Sequence, residues 1–110
     1  MKLPNRESAL VDERKLRGYL LSGSHPIGRF KAKFFRRLGY GSEDWQALRR
    51  ALQRVAVEGE GELVQEGPFG RKYRVLGTLA GPGGRTAEVA TIWIMPVGAD
   101  KPRLVTVYPR

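Results

Sequence analysis

Apolar residues recur at helical spacing in the first half of the chain, whereas apolar and polar residues alternate in the second half. In the first half, Asp12 is placed to cap a helix over residues 13–21. A second helix is predicted over residues 27–38, where Gly39 stops it. The pattern therefore predicts helices that precede strands.

The third helix has the clearest start. Ser42 is placed as its N-cap, and Glu43 and Asp44 bring negative charge to the first turn, where the helix dipole favours it. Gly59 is a suitable stop. The apolar residues that share one face of this helix are Trp45, Leu48, Leu52 and Val55.

Four β-rich segments follow, over residues 62–66, 72–79, 85–95 and 103–109. Turns rich in glycine and proline separate them, with the sequences GPFGR, AGPGG and PVGADKP. Consecutive strands with short connections favour an antiparallel meander. The chain is therefore predicted to be one α+β domain over residues 1–110, with about three N-terminal helices packed on a four-stranded antiparallel sheet and one sheet face open.

Alternation in the last two strands divides their side chains into two sets. We expect the purely aliphatic set to contact the helices and the set rich in threonine and aromatic residues to line the open face. The aliphatic set consists of Ala90, Ile92, Ile94, Val105 and Val107. The second set consists of Val89, Thr91, Trp93, Met95, Leu104, Thr106 and Tyr108.

Charge narrows the choice of partner. The 110 residues include 20 Lys and Arg against 11 Asp and Glu, a formal charge of +9. Such an excess attracts polyanions, so RNA is the first partner to consider and an acidic antitoxin or immunity protein the second. The absence of cysteine excludes disulfides and cysteine-based zinc sites, and no metal or cofactor is predicted. No apolar run suits a signal peptide or a membrane span, which predicts a soluble, cytoplasmic protein.

Residues 25–39, HPIGRFKAKFFRRLG, form a basic segment without a carboxylate. On an ideal helix its Phe residues share an apolar arc, and Lys31 falls within that arc. Such a lysine either brings its amine to an edge of the core or points it into a cleft. The other basic residues form either a solvated face or a surface that attracts RNA. The apolar arc consists of Ile27, Phe30, Phe34, Phe35 and Leu38, and the basic residues are Arg29, Lys33, Arg36 and Arg37.

His25 has two alternative roles: its imidazole caps the second helix, or it acts in catalysis. Histidine side chains titrate near neutral pH, which suits cleavage of RNA by its own 2'-hydroxyl group. That reaction also needs groups that hold the phosphate charge and aromatic rings that stack on bases. Candidate catalytic residues are His25, Lys31, Arg85, Thr91, Arg103 and Thr106. Candidate RNA-binding residues are Arg29, Lys33, Arg36, Arg37, Lys72, Tyr73, Trp93 and Tyr108.

The segments MKLPN, KLRGYLLSGSHPIGRFKAKFF, GPGGRTAEVATIWI and PRLVTVYP resemble, in order and spacing, a small bacterial family of domains of unknown function. Members of that family stand alone or form C-terminal domains of bacterial toxins, so the resemblance implies a toxin or toxin-antitoxin setting. The order of elements is also similar to the barnase, EndoU, colicin and RelE group of metal-independent ribonucleases. The chain departs from the two-histidine members, because only His25 is present, and from barnase-like members, because no glutamate stands out on the central strands.

Three functions fit these observations. A metal-independent ribonuclease requires His25 and Lys31 to converge with Arg and Thr side chains in one cleft. A module that binds RNA or an acidic partner without cleavage requires only a continuous basic surface. An antitoxin-like scaffold requires a flat apolar patch. We take the first as the working hypothesis.

Overall fold

Helices precede a four-stranded sheet, as predicted. The computed structural model describes residues 1–110. The helical elements are a 3-10 turn over Arg6–Ser8, α1 over Glu13–Lys15, a π-helical segment over Leu16–Leu20, α2 over Gly28–Arg37, a 3-10 turn over Ser42–Asp44 and α3 over Trp45–Glu58. None of these helices has the length and apolar composition needed to cross a bilayer.

The first helix differs from the prediction of a continuous α-helix over residues 13–21. Only one α-helical turn forms before the chain widens into the π-helical segment. That segment is closed by a hydrogen bond of 2.8 Å from the N–H of Leu21 to the carbonyl oxygen of Leu16. Short π-helical segments often occur at functional sites.

The ends of the helices are set by local chemistry. Gly39 ends α2 with a φ of 107°, a left-handed conformation that glycine adopts without steric cost. At the start of α3 the cap differs from the prediction, because the N–H of Gly41 donates to Oδ2 of Asp44 at 2.8 Å. The carboxylate of Asp44, and not the hydroxyl of Ser42, therefore accepts the backbone hydrogen bond at the start of α3. Asp12 occupies the N-cap position of α1 without a side-chain hydrogen bond.

The sheet is the predicted antiparallel meander. Its strands are β1 over Glu60–Gly67, β2 over Gly70–Ala80, β3 over Thr86–Pro96 and β4 over Arg103–Pro109, in the spatial order β1-β2-β3-β4. The pairing of β2 with β1 ends where Leu76 lies opposite Glu60. Residues 77–80 of β2 therefore extend beyond the edge strand.

The structure contradicts the predicted faces of the sheet. Thr91 and Trp93 are completely buried in the core, whereas Ile92 and Ile94 lie on the opposite face and are only partly buried. The indole N–H of Trp93 donates to Oγ1 of Thr91 at 2.7 Å, and the Thr91 hydroxyl donates to the carbonyl oxygen of Val75 at 2.9 Å. These bonds remove most of the cost of burying polar groups, so the bulky indole packs against the helices.

Strand β4 mixes the two predicted sets because its pairing with β3 is irregular. Thr106 pairs with Ile92, but Leu104 pairs with the next residue of β3. Val105 is therefore an extra residue, and a bulge of this kind shifts the alternation of side chains. Leu104 and Val107, one from each predicted set, both lie in the core as a result.

Helix α2 also packs with a face that differs from the prediction. Ile27 and Phe30 are each 61% exposed, although both belong to the predicted apolar arc. A Cβ atom on Gly28 would lie 2.0 Å from the carbonyl oxygen of Tyr19, so the two backbones are in direct contact. This contact requires a small residue at position 28 and leaves Ile27 and Phe30 on the outer side of the first turn of α2. The buried positions of α2 and its end are Gly28, Ala32, Phe35 and Leu38.

Candidate functional site

Lys31 brings its amine to the outer edge of β4. Its Nζ donates to the carbonyl oxygen of Val107 at 2.7 Å and lies 4.2 Å from the centre of the Tyr108 ring. Burial lowers the pKa of Lys31 below that of an ordinary lysine. No carboxylate lies within 4.0 Å of the amine, since Lys31 forms no salt bridge. The amine therefore keeps hydrogen atoms and charge for a ligand.

Tyr19 links α1 and its π-helical extension to the same strand. Its hydroxyl lies 3.0 Å from Oγ1 of Thr106, a hydrogen bond in which either oxygen can donate. The Tyr19 ring meets the imidazole of His25 edge-on, with ring centres 5.0 Å apart. The amine of Lys15 lies 5.1 Å from the centre of the same ring. We call the set Tyr19, His25, Lys31, Thr106 and Tyr108 the β4-edge cluster.

His25 caps the start of α2. Its Nδ1 accepts hydrogen bonds from the backbone N–H of Ile27 at 3.0 Å and of Gly28 at 2.9 Å. Because Nδ1 is the acceptor, the hydrogen of the neutral ring is on Nε2. The structure thus shows the capping role. It leaves Nε2 as the only ring nitrogen available to a ligand.

The β4-edge cluster presents hydrogen-bond donors and positive charge. The Lys31 amine, the Nε2–H of His25 and the Tyr19 hydroxyl are all able to donate. Exposed Tyr108, with 48% of its surface accessible, adds an aromatic face. No group of three or more His, Cys, Asp or Glu side chains in the chain is arranged to hold a metal ion. Charged donors of this kind bind phosphate oxygens well.

Comparison with known proteins shows the family. A family model described as domain of unknown function (DUF6883) matches residues 2–110. The chain belongs to the DUF6883 family. The predicted membership of a family of domains of unknown function is thereby confirmed at this level. Among proteins with curated descriptions, none matches the chain.

One solved structure shares the fold of this DUF6883 domain. It is a chain from a contact-dependent growth inhibition toxin and immunity protein complex of Klebsiella pneumoniae 342. The two chains superpose with a TM-score of 0.69 at 18% sequence identity, and the match covers 96% of each chain. At this identity the similarity establishes a common fold.

The DUF6883 structure separates several residues that the sequence placed in one site. Tyr73, Thr91 and Trp93 are at most 5% exposed, so no RNA can reach them without unfolding the core. Arg85 donates to the carbonyl oxygen of Arg37, the last residue of α2, at 3.0 Å. Since α2 has ten residues and is about 15 Å long, Arg85 lies at the far end of α2 from the histidine cap.

Arg103 is also separate from the cluster. It starts β4, pairs with Ile94 and forms a parallel bridge with Leu10. Val107, where the Lys31 amine binds, is four residues further along β4, or about 13 Å. We therefore leave Arg85, Thr91 and Arg103 out of the candidate catalytic site.

The predicted RNA-binding residues on α2 are accessible. Arg29, Lys33, Arg36 and Arg37 are all exposed, and Lys72 is partly exposed on β2. Helix α2 therefore presents an exposed basic surface.

The sequence gives little sign that Tyr19 belongs to the β4-edge cluster or that Phe30 is exposed. Tyr19 lies at helical spacing with Leu16 and Leu20, and this pattern is typical of core aromatic residues. The only sequence signal for a polar role is that a buried tyrosine hydroxyl needs a partner. Phe30 precedes Lys31 and is exposed, on the outer side of the first turn of α2.

Proposed function

We propose that this DUF6883 domain is a toxin-type domain that acts on RNA without a metal ion, with the β4-edge cluster as its active site. The observation that carries the proposal is the Lys31 amine at the edge of β4, in contact with Val107 and Tyr108, where no carboxylate neutralises it. His25 is joined to the same strand through the ring and hydroxyl of Tyr19. The net charge of +9 raises the concentration of RNA around that amine. The fold shared with a chain of a toxin and immunity protein complex supports the toxin setting.

The reaction that suits these residues is cleavage by the 2'-hydroxyl group of the RNA. The 2'-oxygen bonds to phosphorus while the bond from phosphorus to the 5'-oxygen breaks. Lys31 stabilises the charge that develops on the phosphate. Its ammonium gives a proton to the leaving 5'-oxygen, which the lowered pKa assists, and the 2'-hydroxyl proton passes to solvent.

The other members of the cluster have supporting roles in this proposal. His25 donates from Nε2 to a phosphate oxygen, because Nδ1 is bound to the helix backbone. Tyr108 offers its exposed ring to a base. Thr106 and Tyr19 are positioning residues, since their hydrogen bond holds the π-helical segment against β4.

The second candidate is a module that binds RNA without cleaving it. The helix-capping hydrogen bonds of His25 favour this binding module. An imidazole whose Nδ1 caps a helix and whose Nε2 carries the hydrogen is not placed to act as a general base. In both cases an acidic immunity protein or antitoxin is the neutralising partner that we propose, since it complements a charge of +9.

Incubation of the pure protein with tRNA and total RNA in the presence of EDTA tests the proposal. We expect cleavage products with 2',3'-cyclic phosphate ends. The His25→Asn variant provides the sharpest comparison, because the Asn carbonyl still accepts from the helix backbone while Nε2 is lost. Cleavage lost in this folded variant supports the catalytic role. Intact RNA with tight, salt-sensitive binding identifies the second candidate, and no interaction with RNA overturns both.

A further inference from the structure

A groove lies between α3 and the end of β2 that extends beyond β1. It has a volume of about 240 Å³. The helix and the strand are in close contact beside it, because a Cβ atom on Gly77 would lie 3.0 Å from Cγ1 of Val55. The residues that line the groove are Arg50, Ala51, Arg54, Thr78 and Ala80.

The two arginines of this groove have no acidic partner in the fold. Arg17, Arg71 and Arg74 each form a salt bridge with a glutamate, whereas Arg50 and Arg54 have no carboxylate within 4.0 Å. They are also one helical turn apart on α3, where like charges repel each other. The fold therefore gains no ion pair from either arginine and bears their mutual repulsion.

Two more arginines lie beside the groove. The turn after β2 is closed by a 2.7 Å hydrogen bond from the N–H of Gly81 to the carbonyl oxygen of Arg85, whose side chain contacts Arg37. The Tyr40 hydroxyl donates to the carbonyl oxygen of Ala80, which joins the end of α2 to the groove. We call the set Arg37, Arg50, Arg54 and Arg85 the arginine groove.

Three carboxylates lie near this surface: Glu88, Glu58, which is one helical turn after Arg54 on α3, and Asp44, which like Arg50 lies near Tyr40. Glu88 accepts a hydrogen bond from the Thr78 hydroxyl and forms no salt bridge with any arginine. Its charge offsets one of the four positive charges. The four arginines outnumber the three carboxylates, so the surface keeps a small positive excess around the end of β2.

We propose that the arginine groove binds the phosphodiester backbone of RNA, at a site separate from the β4-edge cluster. Guanidinium groups match phosphate geometry with paired N–H donors, and four of them suit a repeated anion. The identification of the anion as RNA rests on the proposed function. Arg37 and His25 lie at opposite ends of α2, about 15 Å apart. An RNA strand held in the groove therefore reaches the cluster along α2. RNA too short to span this distance cannot occupy the groove and the cluster at the same time.

The test measures the salt dependence of binding to a fluorescent single-stranded RNA of about 20 nucleotides made of 2'-O-methyl residues, which cannot be cleaved through the 2'-oxygen. Each phosphate contact contributes about 0.7 to the slope of log K against log salt concentration. The double variant R50Q/R54Q is expected to lower the slope by about 1.4. The matched control R14Q/K101Q removes the same charge from exposed residues outside the groove and is expected to leave the slope nearly unchanged.

The outcomes separate this proposal from the proposed function. If the wild-type chain does not bind the RNA, both fail. If it binds but R50Q/R54Q keeps the wild-type slope, or the control lowers the slope equally, only the arginine groove is overturned. Polyglutamate serves as a second probe, and loss of its binding in R50Q/R54Q with an unchanged RNA slope assigns the groove to an acidic protein. Circular dichroism confirms that each variant is folded.

Discussion

Replacing Lys31 by methionine removes the ammonium and keeps an unbranched stem. The change deletes a charged hydrogen bond to Val107, of a kind worth about 1.5–3 kcal/mol. It also deletes a cation-π contact with Tyr108, worth about 0.5–1 kcal/mol at an exposed site. Two effects offset this loss: the amine is no longer partly desolvated, and the Val107 carbonyl at the sheet edge can bind water. We expect the free energy of unfolding to fall by less than about 1.5 kcal/mol.

The same substitution is expected to have a far larger effect on RNA cleavage. A group that stabilises charge in a transition state typically contributes a factor of about 10²–10³ to the rate. Single-turnover cleavage of tRNA by Lys31→Met should therefore be slower by about this factor. The matched control is Lys101→Met, in the turn before β4, where the side chain is exposed and forms no salt bridge. Cleavage by folded Lys31→Met at the wild-type rate would refute the assigned role.

Four further predictions concern the fold and the pH dependence. Gly28→Ala should lower the free energy of unfolding in urea by about 1–3 kcal/mol or more, since the new methyl group collides with a backbone carbonyl; a neutral effect contradicts the close helix contact. Tyr19→Phe should cost about 0.5–1.5 kcal/mol through the lost hydrogen bond to β4, and an unchanged stability rules out that bond. Thr91→Val should cost about 1–3 kcal/mol, because the Trp93 indole N–H loses its acceptor, while cleavage per folded molecule stays at the wild-type rate; selective loss of cleavage restores Thr91 to the site. Burial lowers the pKa of Lys31 in the folded protein, so the unfolded chain binds that proton more tightly. The free energy of unfolding should therefore rise with pH between the lowered pKa and the ordinary lysine value of about 10.4. The Lys31→Met variant should not show this rise.

The secondary structure was predictable because its signals are local. Gly39 ends α2 through a left-handed conformation that the residue type itself favours. The four strands were recognised from alternation and from their turns, to within two residues at each end. The faces were not predictable, because they depend on contacts between distant residues. The hydrogen bond between Thr91 and Trp93 makes a polar residue fit the core, and the bulge at Val105 reverses the alternation within one strand.

The candidate site was partly predictable for the same reason. Lys31 stood out because a charged residue fell on an apolar arc, and its amine does emerge at an edge of the core. The approach of Tyr19 to Thr106 depends on how the π-helical segment crosses β4, which no local pattern encodes. Arg85 and Arg103 have suitable chemistry for phosphate, but the lengths of α2 and β4 place them elsewhere.

Amide chemical-shift mapping with the 2'-O-methyl RNA locates the RNA-binding surface of the folded protein and does not require cleavage. We expect residues of the β4-edge cluster, with Lys31 and Tyr108 foremost, to show some of the largest shifts in the ¹⁵N spectrum. Shifts are also expected around Arg50 and Arg54 of the arginine groove, with no large shift on the uncovered face of the sheet. Large shifts confined to that face, around Ile92 and Lys72, with none at Lys31 or Tyr108, would contradict the assignment of the site.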